Sequence, residues 1–333
     1  MDMVQELYFS SDEFNEKYFY DGNDLGSTYT KEYTFFRVWA PTATTVTLNR
    51  YQEGLGDNLI ESVPMTGEEK GTWIAKVNGD LHGTYYTYLV TVEGVTREAA
   101  DIYGKSSGAN GERTMVLDMT TTNPEGWEED IRPLFIKPTD AIIYELHIRD
   151  LSMDSSSNIV NKGKFLGLTE EGTKNSHGQS TGIDHIKELG ITHVHLLPSY
   201  DFKTIDETKL EENKFNWGYD PQNYNIPEGS YSTDPYHGEV RVKEFKSMVQ
   251  ALHKNGLRVI MDVVYNHTFT AADSDFNKIV PNYYYRTKDG IFTDASACGN
   301  ETASERLMVR KMIVDSVVHW ATEYKVDGFR FDL

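Results

Sequence analysis

One short segment near the end of the sequence places an arginine and an aspartate where they could act together. In Gly328–Asp332, which reads GFRFD, side chains alternate across a strand, so Arg330 and Asp332 share one face. At the carboxyl end of a barrel strand, such a pair lies where barrel enzymes build active sites, and the guanidinium keeps the carboxylate ionised. Asp332 is therefore a candidate nucleophile, and a purely structural Arg–Asp pair is the alternative explanation. The two phenylalanines of the motif favour packing under helices.

Two other segments carry groups that suit the same chemistry. Asp262–His267 (DVVYNH) places an acid, an amide and an imidazole where another strand ends. A single histidine at such a position more often satisfies a structural hydrogen bond. Phe215–Pro221 (FNWGYDP) is either a stiff turn or a sugar-binding loop, because aromatic rings stack on pyranose faces while carboxylates bind the hydroxyls.

The elements that must position these residues change in character near residue 140. From Tyr29 to about Met119, short alternating segments separated by turn residues predict an Ig-like β-sandwich. Four later apolar runs alternate with helical patterns and predict βα units, in a (β/α)8 barrel or a doubly wound sheet. The proline-containing stretch between them reads as a linker. The predicted division is an N-terminal extension (1–28), a sandwich (29–120), a linker (121–139) and a partial barrel (140–333).

Helical periodicity marks two of the connecting helices. Val242, Phe245, Val249 and Leu252 form an apolar stripe that ends at Asn255–Gly256, where glycine can adopt a left-handed conformation. A second stripe runs from residue 309 to residue 324, and residues 302–305 (TASE) before it have the pattern of a capping box.

Composition narrows the classes of partner. With 52 acidic and 32 basic side chains, the net charge of -20 disfavours nucleic acid and anionic membrane surfaces and favours a neutral substrate. Cys298 is the single cysteine, so the fold does not depend on an internal disulfide. We see no secretory signal pattern and no apolar run of 18 residues, which predicts a cytoplasmic protein without a transmembrane helix.

The motifs resemble those of a known family. DVVYNH and GFRFD are similar to the first and second signatures of the α-amylase superfamily, glycoside hydrolase family 13. FNWGYDP resembles the YNWGYDP signature of type I pullulanases, with Phe215 in place of tyrosine. PEGSYSTDPYHG, ACGNETASER and IIYELHIRDLS continue that pattern. The first domain is similar to the carbohydrate-binding sandwich modules that precede such catalytic barrels.

The resemblance implies a retaining glycosidase that hydrolyses α-1,6 branch linkages in pullulan, starch or glycogen-derived glucans and requires no cofactor. Asp332 would be the nucleophile and Arg330 would orient it. The residues implied to bind the substrate or support its site are Trp217, Tyr219, Asp220, Asp262 and His267. The position of Asn266 corresponds to a calcium ligand in many α-amylases, so a structural calcium is a further expectation.

The resemblance also bears on the second carboxyl group that retaining hydrolysis needs, about 5 to 5.5 Å from the nucleophile. In this family the acid is a glutamate on a later strand, and a further Asp and a His also lie later. Four of eight barrel strands precede Leu333. We therefore expect the first half of a barrel, truncated after strand 4, that does not hydrolyse glucan by itself.

Three other interpretations remain at this point. An α-1,4-acting amylase or a branching enzyme would share most of the motifs. A non-catalytic glucan-binding protein would use a platform of sandwich aromatics: Trp39, Trp73, Tyr85, Tyr86 and Tyr88. A metal-dependent hydrolase would combine His193, His195, His267 and Asp332, but the strand continues past both of the first two imidazoles and leaves them short of the catalytic rim.

Overall fold

Residues 3–333 are described by the structure, which is a computed structural model. Met1 and Asp2, which begin the predicted N-terminal extension, lie outside the described residues. Two short helices follow, α1 (Met3–Phe9) and α2 (Asp12–Tyr18). Aromatic side chains of both helices pack against a tyrosine of the second half of the chain, with ring centroids 5.4 and 5.5 Å apart. The extension is therefore part of the packed molecule.

Nine antiparallel strands form two sheets that pack on each other. They are β1 (Gly26–Tyr29), β2 (Tyr33–Trp39), β3 (Thr45–Tyr51), β4 (Leu59–Pro64), β5 (Thr66–Gly67), β6 (Thr72–Asn78), β7 (Tyr85–Val92), β8 (Val95–Ala99) and β9 (Thr114–Met115). One sheet has the order β1-β2-β6-β5, and the other has the order β4-β3-β7-β8 with β9 beside β7. Phe36 and Tyr86 meet between the sheets with ring centroids 4.9 Å apart. The predicted sandwich is confirmed.

The aromatic residues of the sandwich do not form the sugar platform considered above. Trp39, Tyr85, Tyr86 and Tyr88 are buried, and Trp73 is half-buried with its Nε1 donating to the Ala40 carbonyl. The hydroxyls of Tyr86 and Tyr88 both donate to the buried Asp101. That interpretation of these five residues is wrong, because four of the rings are buried and the fifth, that of Trp73, packs against the core with its ring nitrogen already bonded.

Eight further strands follow, β10 (Ile143–Leu146), β11 (His193–Leu196), β12 (Tyr200–Phe202), β13 (Pro221–Pro227), β14 (Arg258–Val263), β15 (Thr287–Lys288), β16 (Ile291–Phe292) and β17 (Gly328–Phe331). Four of them, β10, β11, β14 and β17, lie side by side in that order and are all parallel. The other four form the antiparallel pairs β12–β13 and β15–β16. The four-stranded sheet confirms the predicted partial barrel.

Helices connect these strands: α3 (Asp150–Met153), α4 (Gly182–Glu188), α5 (Gly238–Lys254), α6 (Asp275–Ile279) and α7 (Leu307–Glu323). The apolar stripe predicted for α5 is fully buried, and the helix ends before Gly256, whose φ is +76°. The capping box predicted before α7 is wrong, since that helix begins at Leu307 with no side-chain cap. The Thr302 hydroxyl donates instead to the Tyr265 carbonyl.

The first part of the segment before the barrel is packed, whereas Ile131, Leu134 and Ile136 further along it are 78 to 82% exposed. Trp127 is buried, and Asp130 and Arg132 bind groups of α5 and of the chain before β17. At the other end, Phe329 packs against the core while Phe331 is 57% exposed. Only one phenylalanine of GFRFD thus packs as expected, because β17 is an outer strand of the described sheet. Within residues 3–333, no helix has the length and apolar character needed to cross a membrane.

Candidate active site

The carboxyl ends of β14 and β17 bring two aspartates to one guanidinium. Asp262 and Arg330 are register partners on these neighbouring parallel strands. The Arg330 Nη1 donates to both carboxylate oxygens of Asp262, at 3.0 and 3.1 Å, and to Asp332 Oδ1 at 2.7 Å. The hydrogen bond to Asp262 raises the pKa of Arg330 further, so the guanidinium stays charged. Arg330 and Asp332 therefore share one face, as strand alternation predicted.

Asp262 is also bound from β11 and from the FNWGYDP loop. The Asp262 Oδ2 lies 3.0 Å from the His195 Nε2 and accepts from the Tyr219 hydroxyl at 2.9 Å. The carboxylate is completely buried, and three side chains satisfy it. Burial, followed by the charge of Asp262, raises the pKa of Tyr219, which keeps its hydroxyl a donor. Asp262 thus acts as the junction that fixes Arg330 and Tyr219 relative to each other.

The FNWGYDP loop is held by its own polar side chains. The Asn216 Nδ2 donates to Asp220 Oδ1 at 2.8 Å and to Thr204 Oγ1 at 2.7 Å, while its Oδ1 accepts from the Gly218 backbone. Asp220 Oδ2 accepts from the backbone and hydroxyl of Thr204. With the chain fixed on both sides, the Trp217 side chain remains 65% exposed. The arrangement presents an exposed aromatic ring two residues before Tyr219, which binds Asp262.

His267 lies against the same loop. Its Nε2 is 2.8 Å from the Tyr219 carbonyl, and its Nδ1 is buried with no hydrogen-bond partner among the described residues. Both side-chain polar atoms of Asn266 are likewise buried and unpartnered in residues 3–333. A neighbouring imidazole nitrogen and amide left free in this way can bind a ligand.

A cluster of buried carboxylates lies on the other side of the loop. Asp201, Glu207 and Glu228 bring carboxylate oxygens within 4.8 Å of one another. The buried Arg241 binds Glu207 Oε2 at 2.7 Å and lies 3.6 Å from Asp201. Burial and the charge of Glu207 raise the pKa of Asp201 to about 7, although Arg241 opposes the rise. The Arg241 guanidinium lies among these acids and offsets one of their charges. A metal ion in the same place would meet this resident cation, so the cluster does not suit one.

The predicted residues therefore gather from three separate segments. The structure brings together Asp332, Arg330, Asp262 and Tyr219, with His267, Trp217 and Asp220 in the adjoining loop contacts. His195 was expected to lie short of the rim, and its register partner is Ile260, two residues before Asp262. Its side chain nevertheless reaches the Asp262 carboxylate. In the part of the chain that is described, the one cluster of three or more metal-binding side chains does not include His193, His195, His267 or Asp332.

His147 is a further residue that sequence reasoning missed. It follows β10, its Nε2 lies 2.7 Å from the Asn216 carbonyl, and its ring lies 4.8 Å from that of Phe215. Burial lowers the pKa of His147, so the imidazole is neutral near pH 7. Its place after the first barrel strand, at the same end as the other motifs, was the available signal.

Comparison with known proteins identifies both halves of the chain. Residues 24–104 match carbohydrate-binding module 48 (isoamylase N-terminal domain), and residues 164–290 match the α-amylase catalytic domain. The pullulanase of Bacillus subtilis (strain 168) is 43% identical over 96% of this chain and 44% of its own length. Chloroplastic pullulanase 1 of Arabidopsis thaliana is 36% identical over 96% of this chain and 37% of its own length.

Solved structures agree with these relatives. Paenibacillus barengoltzii pullulanase in complex with maltohexaose and α-cyclodextrin is 52% identical, with a TM-score of 0.96 over 98% of this chain and 51% of that one. Anoxybacillus sp. LM18-11 pullulanase in complex with maltotriose is 46% identical, with a TM-score of 0.92 over 98% and 46%.

The chain thus spans about half the length of the pullulanases that it matches, or less. Both family matches, the sheet topology and the superposition agree that the chain is similar to the pullulanases. Residues 24–104 are therefore similar to a carbohydrate-binding module 48 and residues 164–290 to part of an α-amylase catalytic domain, in a chain that superposes on about half of a pullulanase.

Proposed function

We propose that this chain supplies the nucleophile and a sugar-binding surface of a retaining glycosidase that hydrolyses α-1,6 branch linkages of α-glucans. The observation that carries the proposal is the Arg330 guanidinium, which binds Asp262 and Asp332 at the carboxyl ends of neighbouring barrel strands. In this role Asp332 attacks the anomeric carbon, and Arg330 orients it through the hydrogen bond to its Oδ1. The FNWGYDP motif favours debranching over the α-1,4-acting and branching alternatives.

The other residues of the site position the sugar. Trp217 offers an exposed ring for stacking, Tyr219 lines the site beside Asp262, and His267 supports the sugar-binding loop through the Tyr219 carbonyl. Asp220 holds the loop through Thr204 and Asn216. Relatives were crystallised with maltotriose, maltotetraose and maltohexaose, and these neutral α-glucans suit a chain with a net charge of -20.

Asp262 is not the acid that protonates the leaving group. It is fully buried, and its oxygens already accept from Arg330 and Tyr219 and lie against His195. A buried carboxylate whose oxygens are occupied by these three side chains cannot reach the oxygen of a leaving group. The acid must therefore be a carboxyl group other than this one.

The proposal also covers a structural calcium, the lack of a cofactor in the reaction and the cellular location. A structural calcium would take Asn266 Oδ1 as one ligand, and the lack of a partner for that buried oxygen among the described residues supports this role. No cofactor takes part in the chemistry. A cytoplasmic location follows from the sequence pattern alone and is tested by cell fractionation.

Sugar binding tests the proposal directly. We expect the 333-residue chain to bind maltotriose in isothermal titration calorimetry, and Trp217→Ala to weaken binding about tenfold because one stacking platform is lost. Tyr236→Ala is the matched control, since Tyr236 is an exposed aromatic outside the proposed site. Equal affinity of the two variants would contradict the placement of the sugar on Trp217.

An activity assay separates the catalytic from the non-catalytic interpretation. Reducing-sugar release from pullulan is not expected from the chain alone. If the chain released reducing sugar and Asp332→Asn abolished that release, the expectation would be contradicted. The role of Asp332 as the nucleophile would then be supported. Binding of maltotriose that survives Trp217→Ala and is carried by residues 24–104 would favour a non-catalytic glucan-binding protein.

A further inference from the structure

A cleft beside the FNWGYDP loop is lined by an excess of cations, and we call it the basic cleft. It has a volume of about 160 Å³ and lies against Asn213, just before the loop, and Tyr231, just after β13. Its cationic side chains are Arg149, Lys162, Lys164, Lys209 and Lys214. Asp206 and Glu212 are the acids of its lining, in a chain that has 52 acidic and 32 basic residues. A neutral glucan gives no reason for this local reversal of charge.

Two cations of the basic cleft bind only neutral oxygens directly. The Lys164 Nζ donates to the Ser230 carbonyl at 2.8 Å. The Lys162 Nζ lies 2.7 to 3.2 Å from two carbonyls and the Ser157 hydroxyl. Within residues 3–333, neither ammonium group has a carboxylate oxygen within 4.0 Å. Glu244, Glu228 and Glu207 lie farther away and reduce the net positive potential at Lys164 without occupying its remaining donors.

Two other cations lie at the rim of the basic cleft, each in a weak ion pair. Lys209 lies 3.3 Å from Asp206, and Lys214 pairs with Glu212. The lysine side chains are 57% and 59% exposed, and ion pairs of this kind contribute little because water screens them. Their ammonium groups can therefore turn towards an anion that enters the cleft.

Contacts connect the basic cleft to the proposed sugar surface. The Arg149 Nη2 donates to Asn213 Oδ1 at 2.9 Å, and its guanidinium lies 6.0 Å from the Phe215 ring. The Arg149 Nη1 pairs with Asp150 at 3.1 Å, and the Asp150 side chain is 53% exposed, so water screens this pair. The Tyr231 hydroxyl lies 3.1 Å from the His147 Nε2, which in turn contacts the Asn216 carbonyl. A ligand in the cleft would thus adjoin the loop that carries Trp217.

We propose that the basic cleft binds a phosphate monoester. A compact dianion with several acceptor oxygens suits a guanidinium and ammonium groups that surround a small cavity. The phosphate is carried either by an α-glucan that extends from the neighbouring sugar surface or by a small sugar phosphate. The first source rests on the proposed function, whereas phosphate binding itself does not.

Calorimetry with the 333-residue chain tests the cleft with three probes: inorganic phosphate, glucose 6-phosphate and glucose. We expect saturable binding of the two phosphates, none of glucose, and weaker binding at higher ionic strength. The double variant Lys209→Gln/Lys214→Gln should lose about five- to tenfold in affinity for glucose 6-phosphate. Its matched control is Lys174→Gln/Lys187→Gln, because Lys187 forms an i,i+3 pair with Asp184 as Lys209 does with Asp206.

Lys162→Met provides an independent variant inside the cleft, with folding of every variant checked by circular dichroism. Equal affinity of the Lys209/Lys214 variant and its control, or no saturable binding of either phosphate, would overturn the proposal. Phosphorylated maltodextrin that binds more tightly than glucose 6-phosphate identifies the glucan as the source, and equal affinities identify the small sugar phosphate. Maltotriose binding is measured separately, so its absence would count against the proposed function and not against the cleft.

Discussion

At the scale of single residues, the two aspartates bound to Arg330 have different surroundings. Asp262 is completely buried and joined to three side chains, whereas Asp332 is at the periphery and pairs with Arg330. An amide cannot accept all the bonds that Asp262 accepts, and it would leave Arg330 without its main counter-charge. The geometry therefore separates a residue that builds the site from one that is available for chemistry.

We expect Asp262→Asn to lower the free energy of unfolding by about 2 kcal/mol, because a buried charged hydrogen-bond network is broken. Asp332→Asn should cost less than about 1 kcal/mol, since its Arg330 partner is 44% exposed and screened by water. Urea denaturation of both variants measures the difference. Similar losses for the two would contradict the division of roles.

Strand alternation allowed part of this residue pattern to be predicted from sequence. It placed Arg330 and Asp332 on one face, since a period of two does not depend on the rest of the molecule. It did not reveal that His195 and Tyr219 meet at Asp262. Those contacts depend on strand register and on the path of a long loop, which local sequence does not determine.

At the scale of elements, the FNWGYDP loop depends on one glycine. Gly218 has φ +92°, and a Cβ at this position would lie 2.6 Å from the Pro198 carbonyl oxygen. Gly256, which follows α5, also has a positive φ of +76°, but a Cβ at that position would meet no atom of the described residues within 4 Å. The two positions thus share a left-handed backbone and differ in close approach.

Gly218→Ala should lower the free energy of unfolding by about 2 to 3 kcal/mol and weaken maltotriose binding, because the loop must move to remove the overlap. Gly256→Ala should cost only about 1 kcal/mol and leave sugar affinity unchanged. Chemical denaturation and calorimetry on the same preparations distinguish the effects. Unchanged sugar binding in Gly218→Ala would show that the loop position does not matter for the ligand.

Elements with regular periodicity were predicted well, whereas the start of α7 was not. The stripe of α5 and its stop before Gly256 are confirmed, because burial of four apolar side chains outweighs local detail. The predicted start of α7 was wrong because Thr302, a residue that suits a helix cap, donates instead to the Tyr265 carbonyl in a neighbouring loop. The Thr302 side chain therefore forms a tertiary hydrogen bond and does not form the helix cap that the local sequence had suggested.

At the scale of the whole molecule, polar side chains join the sandwich to the barrel. The Asn110 backbone donates to Glu207 Oε2 at 2.9 Å, its Oδ1 accepts from the Glu207 backbone at 2.7 Å, and Glu207 binds the buried Arg241. Arg241 also donates to the carbonyl of Gly108. Alternating β-segments and βα patterns indicated both architectures, but no periodicity in the sequence indicates that a buried ion pair joins them.

A second polar junction gives the whole molecule a dependence on pH. His253, at the end of α5, places its Nδ1 2.8 Å from Asp130 of the segment before the barrel and its Nε2 2.8 Å from Asp327 before β17. Burial alone would lower the pKa of His253, but the hydrogen bonds to Asp327 and Asp130 outweigh it and raise the pKa above its usual 6.5. Both ring nitrogens can donate only when the imidazole is protonated.

Because the folded-state pKa is raised, the charged histidine contributes stability that is complete below about pH 6.5 and is lost as pH rises through the folded-state value. We expect His253→Gln to lower the free energy of unfolding most at acidic pH, and the difference from the unchanged protein to shrink above about pH 6.5. His177→Gln, at an exposed loop position, serves as the control. Urea denaturation from about pH 5.5 to about pH 8.5 measures both series, and a difference that grows with pH would show that the two aspartates do not hold a protonated imidazole.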